Sequence, residues 1–205
     1  MIYYYPNRPI LVPPDPVSPM NPKPDYLNSL EASGKYVAEQ KWNGDNTLIF
    51  TDDWSFWNRR KERLHYRPSE EVLKELKAVF PKGCIINAET VDTKTKSVKD
   101  LLVVHCLMAW EGSYLIGKTW GASRAILEGL GLPLTVFGQS NYANHVLLSR
   151  TTSEGFWGLY KMADGPIIEG IILKDAKGKL VFSTTPPKEV SWMLKVRVPS
   201  KKYNF

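Results

Sequence analysis

The 205-residue sequence carries 27 Lys and Arg against 21 Asp and Glu, for a formal net charge of +6, with 43 % apolar and 12 % aromatic residues. That composition can bury a single core and suits polyanionic partners, and it argues against a disordered chain. No apolar run approaches membrane-spanning length, and no signal peptide is expected before the fold. The two cysteines, Cys84 and Cys106, each sit inside an apolar run, which argues against a disulfide or metal framework. A protein without membrane contact is expected, monomeric and cytoplasmic, or virus-encoded and acting inside the host cell.

Residues 1–28 hold eight of the fifteen prolines and read as an extended arm, because repeated prolines block helices and ladders. Tyr3, Tyr4, Tyr5, Leu11 and Val12 give it apolar surface with which to dock on a body formed by residues 29–205. Tyr36-Val37-Ala38 and Thr47-Leu48-Ile49-Phe50 then read as strands. Between them lies Glu39-Gln40-Lys41-Trp42-Asn43-Gly44-Asp45-Asn46, where Gly44 is expected to make the turn by adopting positive φ. Lys41 would thus stand at the end of a rigid element, as suits a nucleophile that must be aimed. A third strand, Trp54 to Trp57, runs into the basic cluster Asn58-Arg59-Arg60-Lys61-Glu62-Arg63, whose guanidinium forks match phosphate oxygens.

Ser69 caps a helix whose stripe Val72, Leu73, Leu76, Val79 and Phe80 repeats at helical spacing and belongs to core packing. Cys84 to Val91 reads as a strand carrying one acid, Glu89. A lysine-rich loop from Lys94 to Lys99 follows, then Leu101 to Trp110, too apolar for a sheet edge and expected to be central. Further helices are expected at Ser123 to Leu130 and from Ser153-Glu154 to about Met162, with a short apolar segment, His145 to Leu148, between them. Ile167 to Lys174 is a strand with a lone acid, Glu169. A turn at Asp175 to Lys179 leads to Leu180-Val181-Phe182 as its hairpin partner. The last strand, Trp192 to Val198, puts Lys195 and Arg197 on one face, since side chains alternate along a strand.

Lys41, Glu89, Glu169 and the Lys195/Arg197 pair therefore stand on otherwise apolar strands. Buried charges are costly unless paired or bound to an ion, so four such sites predict one common cleft. Their opposed signs fit carboxylates for a divalent metal and cations for phosphate.

The same sites resemble, in order, the motifs of the covalent nucleotidyltransferases, the family of ATP-dependent DNA ligases, RNA ligases and mRNA capping enzymes. Lys41 to Asn46 resembles the lysine motif, Lys-x-Asp/Asn/His-Gly-x-Arg/Asn. Asn87-Ala88-Glu89-Thr90-Val91 is similar to the third motif, Glu169-Gly170-Ile171-Ile172-Leu173-Lys174 to the fourth, and Trp192 to Arg197 to the fifth with one extra residue after the tryptophan. The likeness covers about residues 34–198. The chain departs from the family at Asn43 for an aspartate, Ala88 for a glycine, His105 for an aromatic base-stacking residue and Cys106 for an aspartate.

The resemblance implies an α+β nucleotidyltransferase (adenylation) domain of antiparallel sheets flanked by helices; the C-terminal OB domain of the family's DNA ligases and capping enzymes is not expected here. It implies a polynucleotide ligase that uses ATP and Mg²⁺ (or Mn²⁺), forms a lysyl-AMP intermediate on Lys41, and joins a 5′-phosphate to a 3′-hydroxyl of nucleic acid. Lys195 and Arg197 would lower the Lys41 pKa by like-charge repulsion and bind the α-phosphate. Glu169 and Glu89 would hold the metal. Glu39, Gln40, Asn43, Asn46, Glu89, His105 and Lys174 would bind the nucleotide, with Glu39 accepting from the adenine amino group and His105 stacking on the base. Arg59 or Arg60 would take the 5′-phosphate. Asn46, where DNA ligases and capping enzymes carry arginine, leans the substrate towards RNA. A minimal DNA ligase, a GTP-using guanylyltransferase and an inactive nucleic-acid-binding module stay open as alternatives.

Overall fold

The computed structural model describes residues 2–12, 24–92, 94–95, 97–186 and 189–198. Residues 13–23 of the proline-rich arm and Lys96 of the lysine-rich loop lie outside them. In chain order the elements are β1 (Arg8–Leu11), α1 (Pro24–Ala32), β2 (Tyr36–Trp42), β3 (Asp45–Phe50), β4 (Ser55–Asn58), α2 (Glu70–Val79), β5 (Ile85–Val91), β6 (Leu101–Trp110), β7 (Ser113–Tyr114), α3 (Trp120–Gly129), β8 (Val146–Leu148), β9 (Thr151–Thr152), α4 (Phe156–Lys161), β10 (Ile168–Asp175) and β11 (Glu189–Arg197). Among the described residues, no helix is long and apolar enough to cross a membrane.

The strands make two sheets. One runs β1-β11-β10-β2-β9, and the other runs β4-β3-β5-β6-β7 with β8 beside β6. In the first sheet Ala38, Ile171, Leu173 and Val196 face outward against Phe156 and Tyr160 of α4 and Leu27 of α1. In the second, Ile49, Ile86, Ala88, Leu102 and Val104 pack on Val72 and Leu76 of α2 and Leu127 of α3. Each such aliphatic side chain, once buried, contributes about 1.5–3 kcal/mol, so helices on the outer faces anchor both sheets. The inner faces carry the mixed apolar and charged residues and enclose a cleft.

β6 spans the expected residues, is buried along most of its length, and is flanked by β5, β7 and β8. The Ser69 hydroxyl accepts from the Val72 N–H at 3.3 Å, so α2 has the expected cap. Four local expectations are corrected. Residues 24–28 are helical and not extended, since proline is well suited to a first helical turn. α3 begins at Trp120 because Thr119 supplies the cap. α4 begins at Phe156, where the Glu31 carboxylate accepts from the N–H groups of Gly155 (2.9 Å) and Phe156 (2.8 Å), a cap contributed by a distant helix. Leu180–Phe182 forms no hairpin strand with β10, because both edges of β10 are already occupied by β2 and β11.

Gly44 also corrects its expectation. It is not among the glycines with positive φ. A Cβ there would lie 2.3 Å from the Thr90 carbonyl oxygen and 2.7 Å from Cγ of Glu89, so close approach of β5 is what demands glycine.

Candidate active site

Period-two alternation on β2 turns Val37, Glu39 and Lys41 to the inner face, and Tyr36, Ala38, Gln40 and Trp42 to the other. The Lys41 ammonium is ion-paired with Glu169 of β10, and Nη2 of Arg197 on β11 lies 3.4 Å from the same carboxylate oxygen. Register explains the meeting: Gly170 pairs with Lys41 on one side and with Arg197 on the other. Gly170 has φ +142, and a Cβ on it would stand 1.9 Å from the Val196 carbonyl oxygen. A bare backbone at this point lets three strands converge, and three charged side chains converge with them. Lys195 lines the same cleft from β11. Burial pushes its ammonium pKa down, and the neighbouring cations Arg8, Arg197 and Lys41 push it further against the opposing pull of Glu189.

The floor is built around Glu39, whose side chain is 1 % exposed. Its Oε2 accepts from Nζ of Lys174 at 2.8 Å, and Nδ1 of His105 lies 3.7 Å away. Lys174 also sits over the Trp120 ring, 5.0 Å from its centroid. Burial raises the Glu39 carboxyl, but Lys174 and His105 outweigh it and hold the group at about 2. Oε1 of Glu39 has no hydrogen-bond partner. The floor thus presents one unsatisfied acceptor among apolar and aromatic walls. Beside it, burial pushes the Cys106 thiol up to about 11 despite its contact with the Ser123 hydroxyl, which makes it a neutral packing group.

This pair sets a stability expectation. A carboxyl held below its ordinary 4.5 stabilises the fold above that pH, and the contribution is lost as pH falls towards 2. Glu39→Ala, which strands Lys174, is expected to cost about 3 kcal/mol at neutral pH. Urea unfolding at stepped pH should show the variant and parent curves converging below pH 4.5.

The opposite wall comes from the second sheet. Glu89 on β5 accepts from the Gly44 N–H at 3.1 Å. Burial raises its carboxyl, Lys41, His105 and Lys94 oppose that, and Glu169 adds to it. Glu89 and Glu169 therefore feel each other's charge across the cleft. Among the described residues no group of three or more His, Cys, Asp or Glu surrounds a metal position. Two carboxylates are a donor set suited to an ion that keeps water and substrate phosphates as its other ligands. Nδ2 of Asn46 donates to Oδ1 of Asn87 at 2.7 Å. Arg59 and Arg60 stand at the rim in the turn after β4, held by Asn58, whose Oδ1 accepts from the Arg60 N–H at 2.7 Å.

The cleft has a volume of about 630 Å³. It gathers Lys41, Lys195, Arg197, Glu39, Glu89, Glu169, Asn46, His105, Lys174, Arg59 and Arg60. Two expected residues stand apart. Asn43 is not part of the lining and donates to the Pro166 carbonyl at 2.7 Å. Gln40 belongs to the lining, yet its amide is buried without a hydrogen-bond partner on the face opposite Lys41. The sequence reading did not assign Arg8, Trp120 or Lys94 to the site, and the structure puts all three in the lining. Lys94 pairs with Asp45 at 2.8 Å, and its position in the lysine-rich loop was the one available signal.

No family model and no curated protein matches the sequence. Solved structures do. The chain superposes on a structure from a study of DNA binding by minimal Lig E DNA ligases with a TM-score of 0.53 and 11 % identity, over 80 % of this chain and 62 % of that one. On the ligase domain of M. tuberculosis LigD it gives 0.52 and 16 %, over 79 % of this chain and 53 % of that one. On a mycobacterial DNA ligase D complexed with ATP it gives 0.52 and 14 %, over 93 % and 60 %. The chain spans between about half and three-fifths of these neighbours' lengths. Its fold is that of these DNA ligase structures, an α+β arrangement of mostly antiparallel sheets and few helices.

Proposed function

We propose that this chain is the adenylating unit of an ATP-dependent polynucleotide ligase, with Lys41 as the nucleophile. The observation that carries this reading is the convergence of Lys41, Glu169 and Arg197 at Gly170, with Lys195 beside them in one cleft. Lys41 first gives up a proton to become an amine. Its Nζ then forms a bond to the α-phosphorus of ATP while the bond to the α–β bridging oxygen breaks. The electron pair leaves on pyrophosphate, and a second Nζ proton passes to solvent. Arg197 and Lys195 meet the charge that develops on the α-phosphate. Glu39, with its bare Oε1, accepts from the adenine amino group at the floor. Glu169 and Glu89 are the residues that would hold Mg²⁺, which when bound supplies charge neutralisation at the phosphates. Arg59 and Arg60 at the rim take the 5′-phosphate of the nucleic acid that receives AMP, and a 3′-hydroxyl then displaces AMP to seal the join.

RNA is the proposed substrate because Asn46 carries no charge and is tied to Asn87, leaving that position without the long cation of the DNA ligase motif. A minimal DNA ligase is the second reading, favoured by the DNA ligases among the structural neighbours. The test has two stages. Incubation with ATP or GTP labelled at the α-phosphate should leave label on the protein from ATP only, with a mass gain of one AMP. Absence of any covalent nucleotide overturns the reading. Matched nicks differing only in the 3′-hydroxyl strand should then be sealed faster when that strand is RNA, and equal or faster sealing on DNA selects the second reading.

A further inference from the structure

The N-terminal segment enters the cleft. β1 pairs in parallel with β11, with Arg8 opposite Glu189 and Leu11 opposite Lys195, and the Val12 N–H donates to the Lys195 carbonyl at 3.0 Å. Asn7 ties the segment to Val181 in both directions, and the Tyr3 hydroxyl donates to the carbonyl of Asn58, at the start of the turn that bears Arg59 and Arg60. Pro6 and Pro9 flank Arg8 with fixed φ. The guanidinium is thus carried on a segment held at both ends, and Arg8 lines the cleft.

Two features point to an anion there. One oxygen, Oε1 of Glu189, lies 3.7 Å from Nε of Arg8 and 3.9 Å from Nζ of Lys195, so a carboxylate already sits where the two cations converge. The Glu189 side chain is 44 % exposed, open enough to yield to a stronger anion. The cationic excess is also local. Lys41, Arg197, Lys195 and Arg8 follow one another across the sheet and face the carboxylates Glu169 and Glu189.

Strand order gives the direction. β2, β10, β11 and β1 are successive neighbours, so Arg8 lies on the strand furthest from that of Lys41, three strands across and opposite Glu189 at the other end of β11 from Arg197. In phosphoryl transfer the nucleophile and the leaving group stand on opposite sides of phosphorus. With the α-phosphate at Lys41, Arg197 and Lys195, the leaving group extends past Lys195 towards Arg8.

We infer that Arg8, together with Lys195, binds the β- and γ-phosphates of ATP and receives the departing pyrophosphate, making the N-terminal strand part of the adenylation site. This rests on the adenylation reading above. Arg8 forms no bond to phosphorus: the bond made is Lys41 Nζ to the α-phosphorus, and the charge Arg8 meets is that left on pyrophosphate.

The experiment compares Arg8→Ala and Arg8→Lys with the parent chain in three assays. These are labelling by α-³²P-ATP, reversal of the adenylylated protein by inorganic pyrophosphate, and sealing of a pre-adenylated nick, which needs no triphosphate. Arg8→Ala should raise KM for ATP and the pyrophosphate needed for reversal by about tenfold or more, the worth of one charge-assisted contact. Pre-adenylated sealing should fall far less, and Arg8→Lys should recover part of the loss. If Arg8→Ala labels and reverses like the parent, the inference is wrong. If all three assays fall together, Arg8 only holds the strand, and the inference is again wrong. Failure of the parent to label at all would instead overturn the adenylation reading.

Discussion

Lys41→Ala protein incubated with ATP should gain no AMP, while its circular dichroism and unfolding midpoint stay close to those of the parent. Loss of the nucleophile removes the covalent step itself, so the effect on labelling is complete. The structural cost is small for a specific reason. Glu169 keeps Arg197 at 3.4 Å, so removing Lys41 does not leave a carboxylate alone in the cleft. About 1 kcal/mol is expected, typical of a half-buried residue with no cavity behind it. Sealing of a pre-adenylated nick should persist, because that step does not pass through lysine. Labelling of the variant would move the nucleophile elsewhere, with Lys94, Lys174 and Lys195 as the other amines in the cleft.

Gly170→Ala should damage the fold at least as much as any single charge removal in the site. Its Cβ would meet the Val196 carbonyl at 1.9 Å and the Arg197 Cα at 2.9 Å, in backbone that side chains rarely adopt. Steric relief requires β10 and β11 to part where Glu169 and Arg197 meet. A loss of about 3 kcal/mol or more is expected in urea unfolding, from strain and overpacking together. Adenylylation should be lost with it, although no charged group has been altered. Gly34→Ala is the control: φ is +62 but nothing lies within 4 Å of the added carbon, so only about 1–2 kcal/mol is at stake.

Much of this architecture was legible in the chain because sheet strands advertise themselves by alternation and apolar runs. β5, β6, β10 and β11 lie where those runs fall, and isolated charges on such runs mark Glu89, Glu169, Lys195 and Arg197 as cleft residues. What stayed hidden depends on partners remote in sequence. Glu31 of α1 caps α4, and no local pattern announces it. Leu180–Phe182 has strand composition, yet β11 had already claimed the edge it would have used. Gly44 reads locally as a positive-φ turn residue, whereas the constraint comes from β5 pressing against it. Arg8 sits among prolines, where nothing in spacing or charge separates a cleft residue from a surface one. Lys41, Glu89, Glu169, Lys195 and Arg197 share one cleft, whereas Asn43 faces Pro166.

The order β1-β11-β10-β2-β9 also bears on when the cleft comes into being. The strand beginning at Arg8 must wait for the strand beginning at Glu189, and Lys41 meets its counter-ion only once β10 has been laid down. Pairings of such long sequence separation carry the full entropy of loop closure before they return any stabilisation, and they slow folding. The second sheet, whose β3, β4, β5 and β6 follow one another closely along the chain, has no such delay. On a ribosome it is the half able to form first. The cleft would then be a late product of folding, completed when β11 pairs with β1 and β10.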